Sequence, residues 1–493
     1  MYRTSAAWIV LVSLSTALAC GSNDDAYGGL RVENTGGAGG YGAGGGIPVT
    51  AQEEPGQWLE QEGLPDVNAG GPASPPQVEC PGVATTSRIL DLSLASPGSF
   101  ASAQLALELL DGGLAPIPQL VRTQDFLNYF VPEDLAGSPH GQGGLGEVAV
   151  QLAQVEGNTF DLLVVLRASQ LEPPTNNRVV VLIDDTNSMG SAADPQSPLA
   201  RAKELAGAIR DATGTTDFVL RTVSGAQPAS VDEIVGSGSE GSIAVALHEV
   251  ASAAETSPRT GEDRHFLISD GKDDPESLPS SLEIFRQLGA SLNVISVAPA
   301  DDHPARFFRA VYTLGAGHYA HARSDSELSV VKTTLLPQML VTALRDVRLR
   351  LDLPWYFEIV KPKTEEPFIA GVAPPKNVGA AGVHTFLVRL QACSIAVIPG
   401  SDMKVGVSFQ DAENEYLVEL PLDVKQTLSP PTPYTEVTRV RAVHDVAEAL
   451  KTLDRDALVA ARAKLAAAIG NGSANAALST LLEKLDGHPL LAP

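Results

Sequence analysis

Two aspartates, a threonine and a serine crowd the end of an apolar run: in RVVVLIDDTNSMG (178–190), Asp184, Asp185, Thr186 and Ser188 follow the uncharged stretch 179–183. Two further stretches end in the same chemistry. HFLISDG places Asp270 directly after an apolar run, and GSGSEGS places Ser239 in a loop just before a helical pattern. Hydroxyls combined with carboxylates form an all-oxygen donor set, which suits a hard cation such as Mg2+, Mn2+ or Ca2+ rather than a thiolate-seeking metal. The other reading of the first stretch is local: Asp184 and Ser188 cap the next helix or form an Asx turn. Asp185, Asp273 and Asp274, close by in sequence, read as solvated loop charges, with a contribution to cation affinity as the alternative.

The elements that must position these oxygens alternate strand and helix. RVVVLID, DFVLRTVS, RHFLISDG and SLNVISVA read as strands, and PLARAKELAGAIRDA, GSIAVALHEVASAA, LPSSLEIFRQLG and ARFFRAVYTLG as the helices between and after them. Such alternation gives a parallel, doubly wound, Rossmann-like sheet with helices on both faces, and strands nearly all apolar because both faces are covered. In an open sheet of this kind ligands bind beyond the carboxyl ends of the strands, where strand order reverses. Asp184 and Asp270 both fall at strand ends of that type.

On either side the period changes. VRTQDFLNYFVPED (121–134) reads as a short helix ended by Pro132, and GEVAVQL and FDLLVVLRAS read as strands up to Ser169. After about residue 340, RDVRLRLDL, HTFLVRLQACSIAVI and MKVGVSFQ alternate with a period of two, so 345–425 is expected as an antiparallel sheet with one wet face. The Ala/Leu-rich tail reads as two helices separated by Gly470-Asn471-Gly472.

The chain has 493 residues, 44% hydrophobic and 19% charged, enough for about three domains. Lys plus Arg number 34 against 59 Asp plus Glu, a net charge of -25 and a pI near 4.7. That balance disfavours nucleic acid and anionic lipid surfaces and points to cations or basic protein patches as partners. MYRTSAAWIVLVSLSTALAC carries one early positive charge and then an apolar run too short to span a membrane, the form of a secretory signal. Its end, Ala17-Leu18-Ala19-Cys20, resembles the bacterial lipoprotein box. That resemblance implies a signal peptide over 1–19, lipidation of Cys20, and, with Gly21 next, sorting to the outer membrane of a Gram-negative envelope. Residues 20–79, rich in Gly and Pro, read as a disordered tether. Gly37–Gly42 in it matches a dinucleotide fingerprint by pattern only, with no strand before it and no helix after it.

VLIDDTNSMG resembles the first strand and metal-ion-dependent adhesion site loop of a von Willebrand factor type A domain, with SGSEGSIAVAL similar to the second loop and LISDG to the third. The resemblance covers roughly 176–335. It implies a divalent cation, Mg2+ first and Mn2+ or Ca2+ as alternatives, held by Asp184, Thr186, Ser188, Ser239 and Asp270. It also implies a protein partner supplying an Asp or Glu to that cation. Thr186 and Ser239 depart from the commonest residue while keeping the hydroxyl. The flanks are similar to those of exported bacterial type A proteins, which implies that 80–175 and 336–430 form one β-sandwich with the α/β unit inserted and helices over 436–493 following. With Cys20 lipidated, Cys80 and Cys393 remain, one in each flank, and are expected as a disulfide, with two independent thiols as the alternative.

The expected function is therefore a lipid-anchored envelope protein that binds a protein partner and is not an enzyme. The alternatives are a metal-independent scaffold with a degenerate site and a periplasmic hydrolase. The nine histidines are scattered, without H-E-x-x-H, G-x-S-x-G or C-x-x-C. His318 and His321 are the closest pair and read as exposed loop residues.

Overall fold

In the computed structural model of the chain the described residues are 88–92 and 99–491, except 132–134, 136–137, 141–143, 174–176, 214–216, 237–240, 257–262, 275–277, 289, 361–376, 394–401, 411–414, 424–434 and 471–475. The expected signal, Cys20, the tether, Cys80 and Ser239 lie outside them.

The N-terminal part holds β1 (Arg88–Leu92), α1 (Ala101–Asp111), α2 (Thr123–Tyr129), β2 (Ser138–His140), β3 (Gly146–Glu156) and β4 (Thr159–Ala168). Then come β5 (Arg178–Ile183), α3 (Pro198–Thr213), β6 (Asp217–Thr222), α4 (Ile243–Thr256), β7 (Asp263–Ser269), α5 (Pro279–Leu288), β8 (Ser291–Ser296), α6 (Ala305–Gly315) and β9 (Ala316–His321). A helical run closes this part: α7 (Asp325–Val330), a π turn (Val331–Leu335) and α8 (Leu336–Leu340).

These strands form a five-stranded sheet in the order β6-β5-β7-β8-β9, every pair parallel. Both faces are covered. Val179, Val181, Ile183, Phe266 and Ile268 pack with Leu199, Leu205 and Ile209 of α3 and with the α7–α8 run, while Val180, Leu182, Leu267 and Val294 pack with α4, α5 and α6 on the other side. Each fully buried aliphatic side chain contributes about 1.5–3 kcal/mol, so the uninterrupted apolar strands are what hold the helices in place. The sheet is the doubly wound arrangement expected.

The remaining strands build a β-sandwich around the insertion. They are β10 (Thr342–Leu353), β11 (Phe357–Ile359), β12 (Val378–Gly379), β13 (Val383–Ala392), β14 (Asp402–Gln410) and β15 (Glu415–Asp423). One sheet runs β1-β10-β14-β15 with β12 also on β10, and the other β11-β13-β4-β3-β2. Leu162, Val164 and Leu166 of β4 share a core with Leu349 and Leu351 of β10 and Val405 and Val407 of β14. Segments before and after the α/β unit thus complete one another. Ala168 N donates to Gly382 O, Ala381 N to Ser169 O and Ala380 N to Val341 O, at 2.8, 3.0 and 2.8 Å, so one turn ties the chain's entry to its exit.

Three expectations change. HTFLVRLQA does not join the sheet of its neighbours in sequence. As β13 it pairs with β4 over nine residues, Val383↔Arg167 to Gln391↔Thr159, and its outer face is dry, because Leu163 and Val165 beside it are buried against α1, α2 and the C-terminal helices. The wet face belongs to β10 and β14, where Arg348 and Lys404 are exposed. The tail forms three helices, α9 (Thr435–Thr452), α10 (Arg455–Gly470) and α11 (Ala476–Asp486). Leu453 takes a left-handed φ of 52°, and Asp454 Oδ1 accepts from the Asp456 and Ala457 amides at 2.9 and 3.4 Å, capping a new helix. Finally, α1 was not evident as a helix, and β9, which has two histidines and a glycine, was not evident as a strand.

Cys393, after β13, is buried and disulfide-bonded. No described helix is long and apolar enough to cross a membrane.

Candidate metal site

The strand order places the switch at β5, whose connection leaves towards β6 while that of its neighbour β7 leaves towards β8. Asp184 N donates to Ile268 O at 2.9 Å, extending the ladder one residue beyond β5 and fixing Asp184 at the mouth of the sheet. The chain then makes a 3-10 turn, Asn187–Met189. Met189 is fully buried and anchors that turn in the core, and Gly190 takes a φ of +74°, where a Cβ would be strained.

Asp184 Oδ1 accepts from Thr186 N at 3.0 Å and from Thr186 Oγ1 at 2.7 Å. Thr186 Oγ1 lies 3.2 Å from Ser188 Oγ, which donates to Asp270 Oδ1 at 3.2 Å. Four of the five expected residues therefore form one unbroken chain of oxygens joining two strand ends. The fifth, Ser239, lies outside the described residues. On either side of its loop, a Cβ on Gly236 would lie 3.3 Å from Gly190 O, and the Ile243 amide and Ser242 Oγ donate to Asp273 Oδ2 at 2.5 and 3.3 Å.

The local reading accounts for part of the geometry. Thr186 N to Asp184 is an Asx turn, but the helix cap is elsewhere: Ser197 Oγ accepts from Ala200 N at 3.0 Å at the start of α3, with Pro198 as first helical residue.

The two aspartates are each 1% exposed, and among the described residues neither has an ion pair. Burial pushes the Asp184 carboxyl above its usual range, hydrogen bonds from Ser269 and Thr186 draw it back, and the charge of Asp270 pushes it up again. The nearby ammonium is paired with another carboxylate: Lys272 Nζ lies 2.8 Å from Asp302, and that hydrogen bond, with a smaller effect of the charge of Asp270, holds it above its usual range. Two buried carboxylates in contact through hydroxyls, with no ion pair among the described residues and only the charge of the exposed Lys272 nearby, are short of positive charge. The donor set therefore fits a hard divalent cation, with the exposed Ser188 hydroxyl on the solvent side. Among the described residues no group of three or more His, Cys, Asp or Glu is gathered that could hold a metal; this set depends on hydroxyls instead.

Nearby residues correct the sequence reading. Asp185 is not a solvated charge. It is buried and accepts from Ser224 N and Oγ at 2.9 and 2.6 Å, tying the end of β5 to the loop after β6. Asp273 tethers the start of α4, as above, whereas Asp274 is exposed. Ser269 donates to Asp184 Oδ2 at 2.6 Å; the sequence signal for it was only its place before Asp270 at a strand end. His318 and His321 are not exposed loop residues. Both are buried in β9; His318 Nδ1 lies 3.2 Å from Asn293 Oδ1, and His321 Nε2 lies 2.9 Å from Glu108 Oε2 of α1.

No protein-family model matches the chain. A curated relative, the uncharacterised protein YfbK of Escherichia coli (strain K12), is 27% identical over 284 residues, 52% of this chain and 48% of that one. The match thus spans about half the relative's length. Among solved structures, a von Willebrand factor type A protein from Catenulispora acidiphila aligns with a TM-score of 0.42 and 15% identity over 73% of this chain and 92% of its own. The ArnB paralog VWA2 from Sulfolobus acidocaldarius aligns with a TM-score of 0.40 and 13% identity over 70% and 97%. At these scores the fold is read from this chain's own strands. The neighbours are von Willebrand factor type A proteins, and the sheet, its strand order and its first loop give this chain the α/β architecture that its resemblance to that family implied.

Proposed function

We propose that the protein is a cell-envelope lipoprotein whose α/β unit binds a protein partner through a divalent cation, Mg2+ ahead of Mn2+ or Ca2+. The observation that carries this reading is the oxygen chain Asp184–Thr186–Ser188–Asp270, built on two buried carboxylates that have no ion pair among the described residues, at the switch of the parallel sheet. Asp184, Thr186, Ser188 and Asp270, with Ser239 from the second loop, would hold the ion. A bound cation supplies a coordination position that an Asp or Glu carboxylate of the partner can fill.

The chain's own residues do the rest. Asp184 and Asp270 provide the negative charge, Thr186 and Ser188 orient it, and Met189 and Gly190 hold the loop that presents Ser188 to solvent. No general base, nucleophile or leaving-group acid is assigned, and the reading is of binding without catalysis. In the same proposal Cys20 carries the lipid that anchors the chain to the outer membrane, and Cys80 pairs with Cys393 across the sandwich.

The test is calorimetric titration of Mg2+, Mn2+ and Ca2+ into the purified chain, with Asp184→Ala as control. Uptake of one ion by the wild type and none by the variant is expected. A wild type that takes up none of the three ions overturns the reading in favour of a metal-independent scaffold.

A further inference from the structure

The structure assigns Ser269 a positioning role: its hydroxyl sets the rotation of the Asp184 carboxylate and the direction of Asp270, so that both present oxygen to a cation. The inference rests on the cation-binding reading above and adds a residue to it that contacts neither ion nor partner.

Ser269 ends β7 and is 0% exposed. Its Oγ makes two bonds in opposite directions. It donates to Asp184 Oδ2 at 2.6 Å and accepts from Gly271 N at 2.7 Å. The first bond crosses from β7 to the residue after β5; the second closes a turn around Asp270. A carboxylate torsion is broad, so Asp184 alone has no strong preference for the rotation of its carboxylate plane. With Oδ2 held by Ser269, Oδ1 is left to Thr186 N and Oγ1, and through them to Ser188 and Asp270. The same hydroxyl fixes the Gly271 amide and so the turn from which Asp270 reaches Ser188. One buried side chain thereby bears on both carboxylates, directly on Asp184 and through the turn on Asp270, whose Oδ1 also accepts from Lys272 N at 3.2 Å.

A purely structural role would look different. A serine that only closes a local turn contributes to folding and leaves the orientation of a residue 85 positions away unaffected. Here one of its two bonds goes to that distant carboxylate. Partners that hydrogen-bond metal-ligating carboxylates from behind typically account for 10–100-fold in metal affinity.

The test uses the full chain with Ser269→Ala and Ser269→Thr, reading Mn2+ and Mg2+ affinity by calorimetry and foldedness by circular dichroism and urea midpoint. Ser269→Ala, folded, is expected to bind Mn2+ about 10–100-fold more weakly, and Ser269→Thr, which keeps the hydroxyl, to return to within about threefold of wild type. If the alanine variant does not fold, Ser269→Cys, similar in size but a weak donor, carries the same comparison. Unchanged Mn2+ affinity in a folded variant lacking the hydroxyl overturns the inference even if its urea midpoint falls. A wild type that takes up no ion overturns the cation reading as well, so the two failures are distinguishable.

Discussion

Arg389 on β13 grips Asp161 on β4 with two hydrogen bonds, Nε to Oδ1 at 2.9 Å and Nη2 to Oδ2 at 3.2 Å, across 228 positions of chain. The whole α/β unit lies between them in sequence. Asp161 is fully buried, and Arg441 Nε of α9 stands 3.8 Å from the Oδ2 that Arg389 Nη2 also binds, so one carboxylate links both halves of the sandwich to the helical layer. Removing one partner of a buried pair leaves an uncompensated charge, which typically costs about 3–5 kcal/mol. Arg389→Ala is expected to lose about 3 kcal/mol by urea denaturation, the low end because Arg441 remains and Arg389 is partly exposed. Asp161→Asn combined with Arg389→Met should recover most of the loss. A single variant within about 1 kcal/mol of wild type would show that the pair is not needed to join the halves.

Cation binding should be visible as stability. A ligand that binds only the folded state adds about 2.7 kcal/mol at one hundred times its Kd. Thermal unfolding of the wild type is expected to move upward with Mg2+ and return with EDTA, and Asp184→Ala to be indifferent to both. Equal Mg2+ shifts in the two proteins would place the bound ion elsewhere.

Two glycines should respond to alanine in opposite directions. Gly271 has a φ of +71°, and a Cβ there would fall 2.6 Å from Phe308 Cε2 and 2.8 Å from Pro304 Cγ. Gly271→Ala is expected to cost about 2 kcal/mol or more through strain and overlap, and to weaken cation uptake by moving Asp270. Gly207 lies inside α3, with nothing within 4 Å of its Cβ position, and Gly207→Ala should stabilise by roughly 0.5–1 kcal/mol. Paired melting curves check both signs.

Glu327 makes stability depend on pH. It is 4% exposed in the first turn of α7, and burial, reinforced by the charge of Glu108, raises its pKa to about 7. A raised carboxyl favours folding while it is protonated. That contribution is complete below the ordinary value of 4.5 and is lost as pH rises towards about 7. The loss is at most about 3 kcal/mol. Glu327→Gln is expected to flatten the profile over this window and to be the more stable protein on its alkaline side. Parallel urea midpoints for the two proteins from about pH 5 to about pH 8 would refute the assignment.

Much of this molecule could be read from local pattern, and the failures have physical causes. β5, β7 and β8 were legible because both faces are covered, leaving largely apolar runs that need no knowledge of partners; β6, at the sheet's edge and only half-buried, was legible from its place in the alternation. β9 was not: its histidines are buried by virtue of Asn293, Gln104 and Glu108, which arrive from other elements. β13 was legible as a strand but not as the neighbour of β4, since pairing across an insertion leaves no mark on either sequence. The break at Leu453 depends on one left-handed residue and an aspartate cap within an otherwise helical composition. At the site, Asp184, Thr186, Ser188 and Asp270 could be named because strand ends announce them. The contacts of Asp185, Asp273 and Ser269 could not, because each partner lies 30 or more positions away.

The turn that receives hydrogen bonds from Ala168 and gives them to Ser169 and Val341 has a mechanical meaning. On the proposed reading, load on a partner held at the mouth of the parallel sheet passes in part through the unit's two chain connections, and both are tied to the same few residues of the sandwich. Tension on those connections loads entry and exit together, as two ropes tied to one cleat. The same arrangement makes the unit a cassette: lifting out the chain between Ser169 and Val341 leaves two ends already side by side, so a short linker could close the gap with the sandwich still paired.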